Sequence, residues 1–133
     1  MTARVSLRAG LAFLAFAQIA VGCWALILPR SFFDIPVVGM GMAYNEHLMR
    51  DYGAMSLASA VVLSLAAVQM TRSATRTALL MYLVWALAHF AIHVPLIDHL
   101  TPAQATYLMI ALGVAILLTC GLLLLSKSGT ESR

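Results

Sequence analysis

Apolar residues in this chain gather in four long blocks. They show neither the short alternation of sheet strands nor the single apolar stripe of a soluble helix. The first block runs from about Leu7 to Leu28, the second from about Glu46 to Met70, the third from about Thr77 to Val94, and the fourth from Pro102 to about Leu125. Roughly 20 helical residues cross a hydrocarbon core. The pattern therefore predicts four membrane-spanning helices, over about 7–28, 46–70, 77–94 and 102–125.

The residues between the blocks set the connections. Arg4 and Arg8 precede the first block and Pro29-Arg30 ends it. Pro29, Pro36, Gly39 and Gly41 forbid a long regular helix between 29 and 44. Phe32, Phe33, Ile35, Val37 and Val38 are too apolar for a solvated loop. An interfacial segment is expected there, in the membrane interface or folded over the helix ends. Arg30 and Asp34 would face the headgroups, and the segment would be placed to act as a lid. Asn45 is a good N-cap for the second helix, with Glu46 at its positive end. The polar run Thr71–Arg76 reads as a short turn joining an antiparallel hairpin. Pro95 ends the third helix, and Thr101-Pro102-Ala103-Gln104 opens the fourth with a cap, a first-turn proline and a capping-box glutamine. Lys127–Arg133 reads as a polar tail. The fold class is all-α: one domain over 1–133, an up-down-up-down four-helix transmembrane bundle.

Two faces are suited to close packing. Gln18 and Gly22 stand four apart, the amide available for an interhelical hydrogen bond. On the second helix Gly53, Ser56, Ala60, Ser64 and Ala67 form a small-residue stripe. The first block has an alternative reading as a cleaved signal peptide, because Ala20-Val21-Gly22-Cys23 faintly resembles a lipoprotein cleavage box. Trp24-Ala25-Leu26-Ile27-Leu28 continues apolar past that cysteine and makes the block longer than a signal core, which favours a span.

Composition strengthens this picture. Hydrophobic residues make up 62% of the 133 and charged residues only 10%, against about 45–50% and about 25% in a soluble domain. Mean hydropathy is +0.94. Eight Lys+Arg against five Asp+Glu give a formal net charge of +3, too small an excess for a nucleic-acid partner. The basic residues serve topology instead. Arg4, Arg8, Arg72, Arg76 and Lys127 all fall on one side of an up-down-up-down bundle, so the positive-inside rule puts both termini in the cytoplasm. Cys23 and Cys120 then lie towards opposite membrane faces, too far apart for a disulfide. Two free, buried thiols without a redox role are expected.

The chemistry is concentrated in Tyr44-Asn45-Glu46-His47-Leu48-Met49-Arg50-Asp51. Glu46, His47, Arg50, Asp51, His89, His93, Asp98 and His99 all map to the outer leaflet, and they include all four histidines of the chain. Asp51 is expected roughly 8 Å below Glu46, and His89 roughly 8 Å below Val94, at 1.5 Å per helical residue. Tyr82, Trp85, His89 and His93 share one helical face. Tyr44 and Phe90, with Tyr82 and Trp85, are the expected pocket lining.

Intramembrane charge often marks function, and four readings stand. The cluster is a salt-bridged plug fixing helix register, with Glu46 and Arg50 paired along the helix and Asp51 on Arg50 or a histidine. Alternatively, His47, Asp51, His89 and His93 bind Zn²⁺, iron or copper, with Glu46, Arg50, Asp98 and His99 as outer or ion-pair partners. Alternatively, it is a redox site: His47 with His89 or His93 flanks a haem b lined by Tyr82, Trp85 and Phe90, or a His/Asp pair hands protons to a quinone. The last is a lipid, small-ligand or transport site. The leading expectation is a metal or redox cofactor in a subunit of a membrane complex, or in a homo-oligomer. The rival is a non-enzymatic accessory protein.

Three stretches carry a resemblance: Pro29-Arg30-Ser31-Phe32-Phe33-Asp34, Tyr44 through Gly53, and Ala88-His89-Phe90-Ala91-Ile92-His93. The chain resembles a group of small bacterial four-helix membrane proteins, similar in architecture to the DoxX-like families. The resemblance implies the fold and a bacterial inner membrane. It adds slight support to the redox reading and transfers no catalytic residue.

Overall fold

In the computed structural model, which describes residues 2–128, four long helices and three short ones follow one another with no strand among the described residues. They are α1 (Thr2–Ile27), α2 (Pro29–Phe33), α3 (Pro36–Gly39), α4 (Glu46–Gln69), α5 (Arg72–His93), a 3-10 turn (Val94–His99) and α6 (Pro102–Ser128). Four stretches are long and apolar enough to cross a membrane: Ala3–Ile27, Glu46–Gln69, Arg72–His99 and Pro102–Lys127. Large apolar side chains point outward on all of them, including Phe16 at 70% exposure, Val68 at 77% and Leu117 at 72%. A water-soluble monomer rarely shows contiguous apolar surface on that scale. Here it is the surface that meets lipid.

The helix starts are capped as the sequence implies. The Asn45 side chain accepts from the Leu48 N–H at 3.1 Å. Thr101 and Gln104 exchange both capping-box bonds, at 3.0 and 3.4 Å. The α4–α5 connection differs from expectation. Residues 71–76 are not a turn: α5 starts at Arg72, and only Met70 and Thr71 lie between the helices. Met70 takes the left-handed conformation, φ 49°, while its N–H bonds the Ala66 carbonyl. The Thr71 hydroxyl then accepts the Ala74 N–H at 3.3 Å. Of the polar residues that resemble a loop, Thr71, Arg72 and Ser73 are the exposed start of α5, and Thr75 is buried in the core. Thr71→Ala is expected to lower stability by about 1 kcal/mol, the usual worth of an N-cap, measurable as a lower unfolding midpoint in detergent. Likewise α1 starts at Thr2 and α6 continues through Lys127 to Ser128. The rest of the expected polar tail lies outside the described residues.

Packing is uneven along the bundle. The main core joins Leu7, Leu11 and Leu14 of α1 to Leu63 and Ala66 of α4, Ala78, Leu79 and Tyr82 of α5, and Leu122 of α6. It therefore sits towards the end that carries the α4–α5 turn. Nearer the other end, α1 and α4 cross at glycine. A Cβ on Gly53 would stand 2.6 Å from the Leu26 nitrogen and 2.9 Å from the Gly22 oxygen, and one on Gly22 would stand 3.0 Å from the Gly53 oxygen. The two glycines let backbone meet backbone, as the Gln18/Gly22 face and the α4 stripe imply. Gly53, Ser56 and Ala60 of that stripe are buried. At this end the connection folds over the bundle, α2 against α1 and α4, α3 against α6, and buries its own Phe32 and Met40.

Candidate imidazole and aromatic site

The charged residues of the α4 entrance are arranged as surface pairs. Arg50 Nε donates to Glu46 Oε1 at 2.9 Å, and Arg50 Nη1 donates to the Leu26 carbonyl, also at 2.9 Å. Leu26 is in the last turn of α1, where carbonyls lack helical partners. Arg50 thus ties the end of one span to the start of another. His47 Nε2 lies 3.2 Å from Asp51 Oδ2, both side chains well exposed. Asp98 and His99 are exposed on the 3-10 turn.

His89 and His93 lie elsewhere. Both are half-buried on α5, their ring centroids 4.3 Å apart. His93 Nδ1 is 2.9 Å from the His89 carbonyl. A carbonyl only accepts, so Nδ1 carries the proton, and in the neutral ring Nε2 keeps a lone pair directed away from the backbone. His89 is stacked on Trp85 at 4.8 Å and on Tyr52 at 6.1 Å. The rings continue in both directions, from Trp85 to Tyr82 at 5.4 Å and from Tyr52 to Phe32 at 5.9 Å, and Phe32 meets Trp24 at 5.7 Å. A continuous aromatic wedge of α1, α2, α4 and α5 residues runs from the core at Tyr82 towards the end of the bundle beneath α2.

Polar groups line its deeper side. The Tyr82 hydroxyl approaches the buried Gln18 side chain. The Tyr52 hydroxyl approaches Ser56, but Ser56 Oγ, itself buried, completes no well-formed hydrogen bond.

The four expected ligands are therefore divided between two places. His47 and Asp51 form one pair and His89 and His93 another. Among the described residues no three His, Cys, Asp or Glu side chains gather around one point. Of the expected lining, Tyr82 and Trp85 join the histidines. Tyr44 instead packs on Phe33 and beneath Arg30. Phe90 is half-buried beside the pair. Cys23 and Cys120 are free, and both are half-buried, not buried as expected, because each sits near the lipid-facing side of its helix. Tyr52 and Phe32 are the site residues that the sequence reading leaves out. The available signal is that Tyr52 lies one turn before Ser56, on the same packing stripe.

A lipid-facing bundle with a polar, ring-lined site between its helices defines the class: a multi-pass helical membrane protein. No protein-family model matches the chain, and no curated protein or solved structure matches it.

Proposed function

We propose that the chain is an up-down-up-down membrane bundle with both termini in the cytoplasm of a bacterium, and that its α4–α5 site binds a quinol or quinone in the leaflet away from the termini. The basic residues at the α1 start, the α4–α5 turn and the α6 end support that orientation. The antiparallel register of α1 on α4, where Gly53 meets Leu26 while Leu57, one turn further along, meets Gly22, supports the up-down arrangement alone. The observation that carries the ligand reading is the fixed His93 ring. Its Nε2 lone pair stands beside the His89–Trp85 stack and can accept from a quinol hydroxyl while the flat ring packs on the aromatic wall. In quinol oxidation His93 would take one hydroxyl proton, water at the leaflet surface the other, and both electrons would pass to a partner subunit of a membrane complex; quinone reduction is the reverse. The half-exposed imidazoles leave the site open to a ligand arriving through the lipid. The same lone pair, on a ring oriented by a backbone carbonyl, also suits a metal ion, which is the second reading.

The test uses Trp85 as reporter. The chain has two tryptophans, so a Trp24→Phe background isolates Trp85. Titration of a short-chain quinol is expected to give saturable quenching, with weaker binding of the oxidised quinone. His89→Ala/His93→Ala should weaken binding by at least about tenfold, the worth of one hydrogen bond plus lost stacking. Glu46→Gln should change nothing. Quenching that never saturates, or that the double variant leaves intact, would refute the proposal. A stoichiometric metal or a haem absorption band, lost in the same double variant, would transfer the site to the metal or haem reading.

A further inference from the structure

A second concavity lies outside the aromatic wedge, where the end of α1 meets α2 and the start of α4. It is an open cleft of about 450 Å³, lined by apolar Ile27, Leu28 and Pro29 and by charged Arg30, Asp34 and Glu46. None of the four histidines lines it. It sits at the ends of two spans, at the depth where lipid headgroups lie.

Arg30 is held in place there. Its Nε donates to Asp34 Oδ1 at 3.0 Å, and its guanidinium carbon stands 5.0 Å above the Tyr44 ring centre. These two contacts use one edge and one face of the guanidinium. The Nη nitrogens make no hydrogen bond among the described residues, so the fork that best matches a phosphate remains available. Glu46 gives Oε1 to Arg50 and keeps its second oxygen. The cleft thus offers a positioned guanidinium together with two carboxylates.

That charge balance selects the ligand. Arg50 already neutralises Glu46 through one oxygen and Arg30 pairs with Asp34, so the cleft is close to neutral, and a purely anionic headgroup gains Arg30 but leaves the second oxygens of Asp34 and Glu46 facing it without a cation. A zwitterionic headgroup places phosphate on Arg30 and its cation on the acids. A quaternary ammonium cannot donate to a carboxylate and would need an aromatic face, but Arg30 already covers a face of Tyr44, and Phe33 packs edge-on against that ring. A primary ammonium forms charge-assisted bonds to Asp34 and Glu46 directly. Ile27 and Leu28, 67% and 58% exposed, give the acyl chains a wall continuous with the lipid-facing surface.

We propose that this cleft binds a phospholipid whose headgroup joins phosphate to a primary ammonium, as in phosphatidylethanolamine, with phosphate on Arg30 and ammonium on Asp34 and Glu46. The site is independent of the quinol site and stands or falls separately.

Native mass spectrometry of the detergent-purified full chain tests it, with phosphatidylethanolamine, phosphatidylcholine and phosphatidylglycerol of matched acyl chains. The ethanolamine lipid should bind about tenfold more tightly than either of the others, as one charge-assisted contact implies. Arg30→Gln should weaken its binding about tenfold through loss of the phosphate contact. Glu46→Gln should keep lipid binding but reduce the ethanolamine preference over choline. Equal binding of the three lipids by the natural chain would overturn the proposal without recourse to any variant. Undiminished ethanolamine-lipid binding in Arg30→Gln would also overturn it. Soluble phosphoethanolamine, lacking acyl chains, should fail to displace the lipid at equal concentration; if it displaces it, the ligand is a free phosphate compound and not a lipid.

Discussion

Gly53→Ala is expected to destabilise the bundle by about 2–3 kcal/mol, near the top of the range for overpacking a close contact. The added carbon would meet the Leu26 nitrogen at 2.6 Å, the Gly22 oxygen at 2.9 Å and the Leu26 Cα at 3.0 Å. All three are backbone atoms, so no side-chain rotation relieves them, and α1 and α4 must separate. Separation also lengthens the Arg50–Leu26 bond, which spans the same crossing. Gly22→Ala should cost less, because its nearest obstacle at 2.8 Å is the Leu57 side chain, although the Gly53 oxygen at 3.0 Å still resists. Gly113→Ala and Gly121→Ala are the controls. A Cβ there meets nothing within 4 Å, and alanine is the better helix former by about 1 kcal/mol. Both should be neutral or stabilising. The check is the unfolding midpoint in detergent. A Gly53→Ala protein as stable as the two controls would mean that α1 and α4 do not touch backbone to backbone at this crossing.

The two packing faces were legible in the sequence, because small residues on one helical face mark close approach in a membrane, but their meeting at Gly22 and Gly53 was not, since either face could pack on any neighbour. The four spans were legible because hydropathy reports the solvent directly. The start of α5 is not legible from polarity, because polar residues in a first helical turn have the same composition as a loop. Thr71, Arg72 and Ser73 are exposed at the start of α5, and the Thr71 cap lets the helix begin among them, while Thr75, polar by type, is buried in the core. The grouping of the histidines was only half legible. Depth puts Asp51 and His89 at similar levels, but contact also needs matching helical phase. At about 100° per residue, Asp51 points roughly 200° away from Gly53, on the side opposite the buried stripe, and His47 lies one turn before Asp51. Tyr52, close in phase to Ser56, faces inward instead and meets His89. The small-residue stripe already held this information, and using it would have exchanged His47 for Tyr52. The aromatic wedge as a whole was less accessible. Phe32 belongs to a connection whose path over the helix ends depends on how α2 and α3 settle on α1, α4 and α6.

Arg50→Ala separates a mechanical role from a chemical one at the α4 entrance, and a loss of about 1–2 kcal/mol is expected, between an exposed ion pair and a buried charged hydrogen bond. The removed group serves two partners. Its bond to Glu46 is an exposed pair within one helix, worth about 0.3–0.5 kcal/mol. Its bond to the Leu26 carbonyl satisfies an acceptor at the end of α1 and fixes α1 on α4 next to Gly53. Most of the loss should come from the second bond. Glu46→Gln should therefore cost under about 0.5 kcal/mol. Arg50→Lys should recover only part of the loss, since an ammonium cannot hold the carboxylate and the carbonyl with the fixed fork of a guanidinium. Unfolding midpoints of the three variants, read beside quinol titrations of Trp85, decide the matter. Lower stability with unchanged ligand affinity makes Arg50 the clamp between two spans, with the chemistry left to His89 and His93. Unchanged stability with lost affinity would return Arg50 to the binding site and undo the separation of the charged entrance from the imidazole pair.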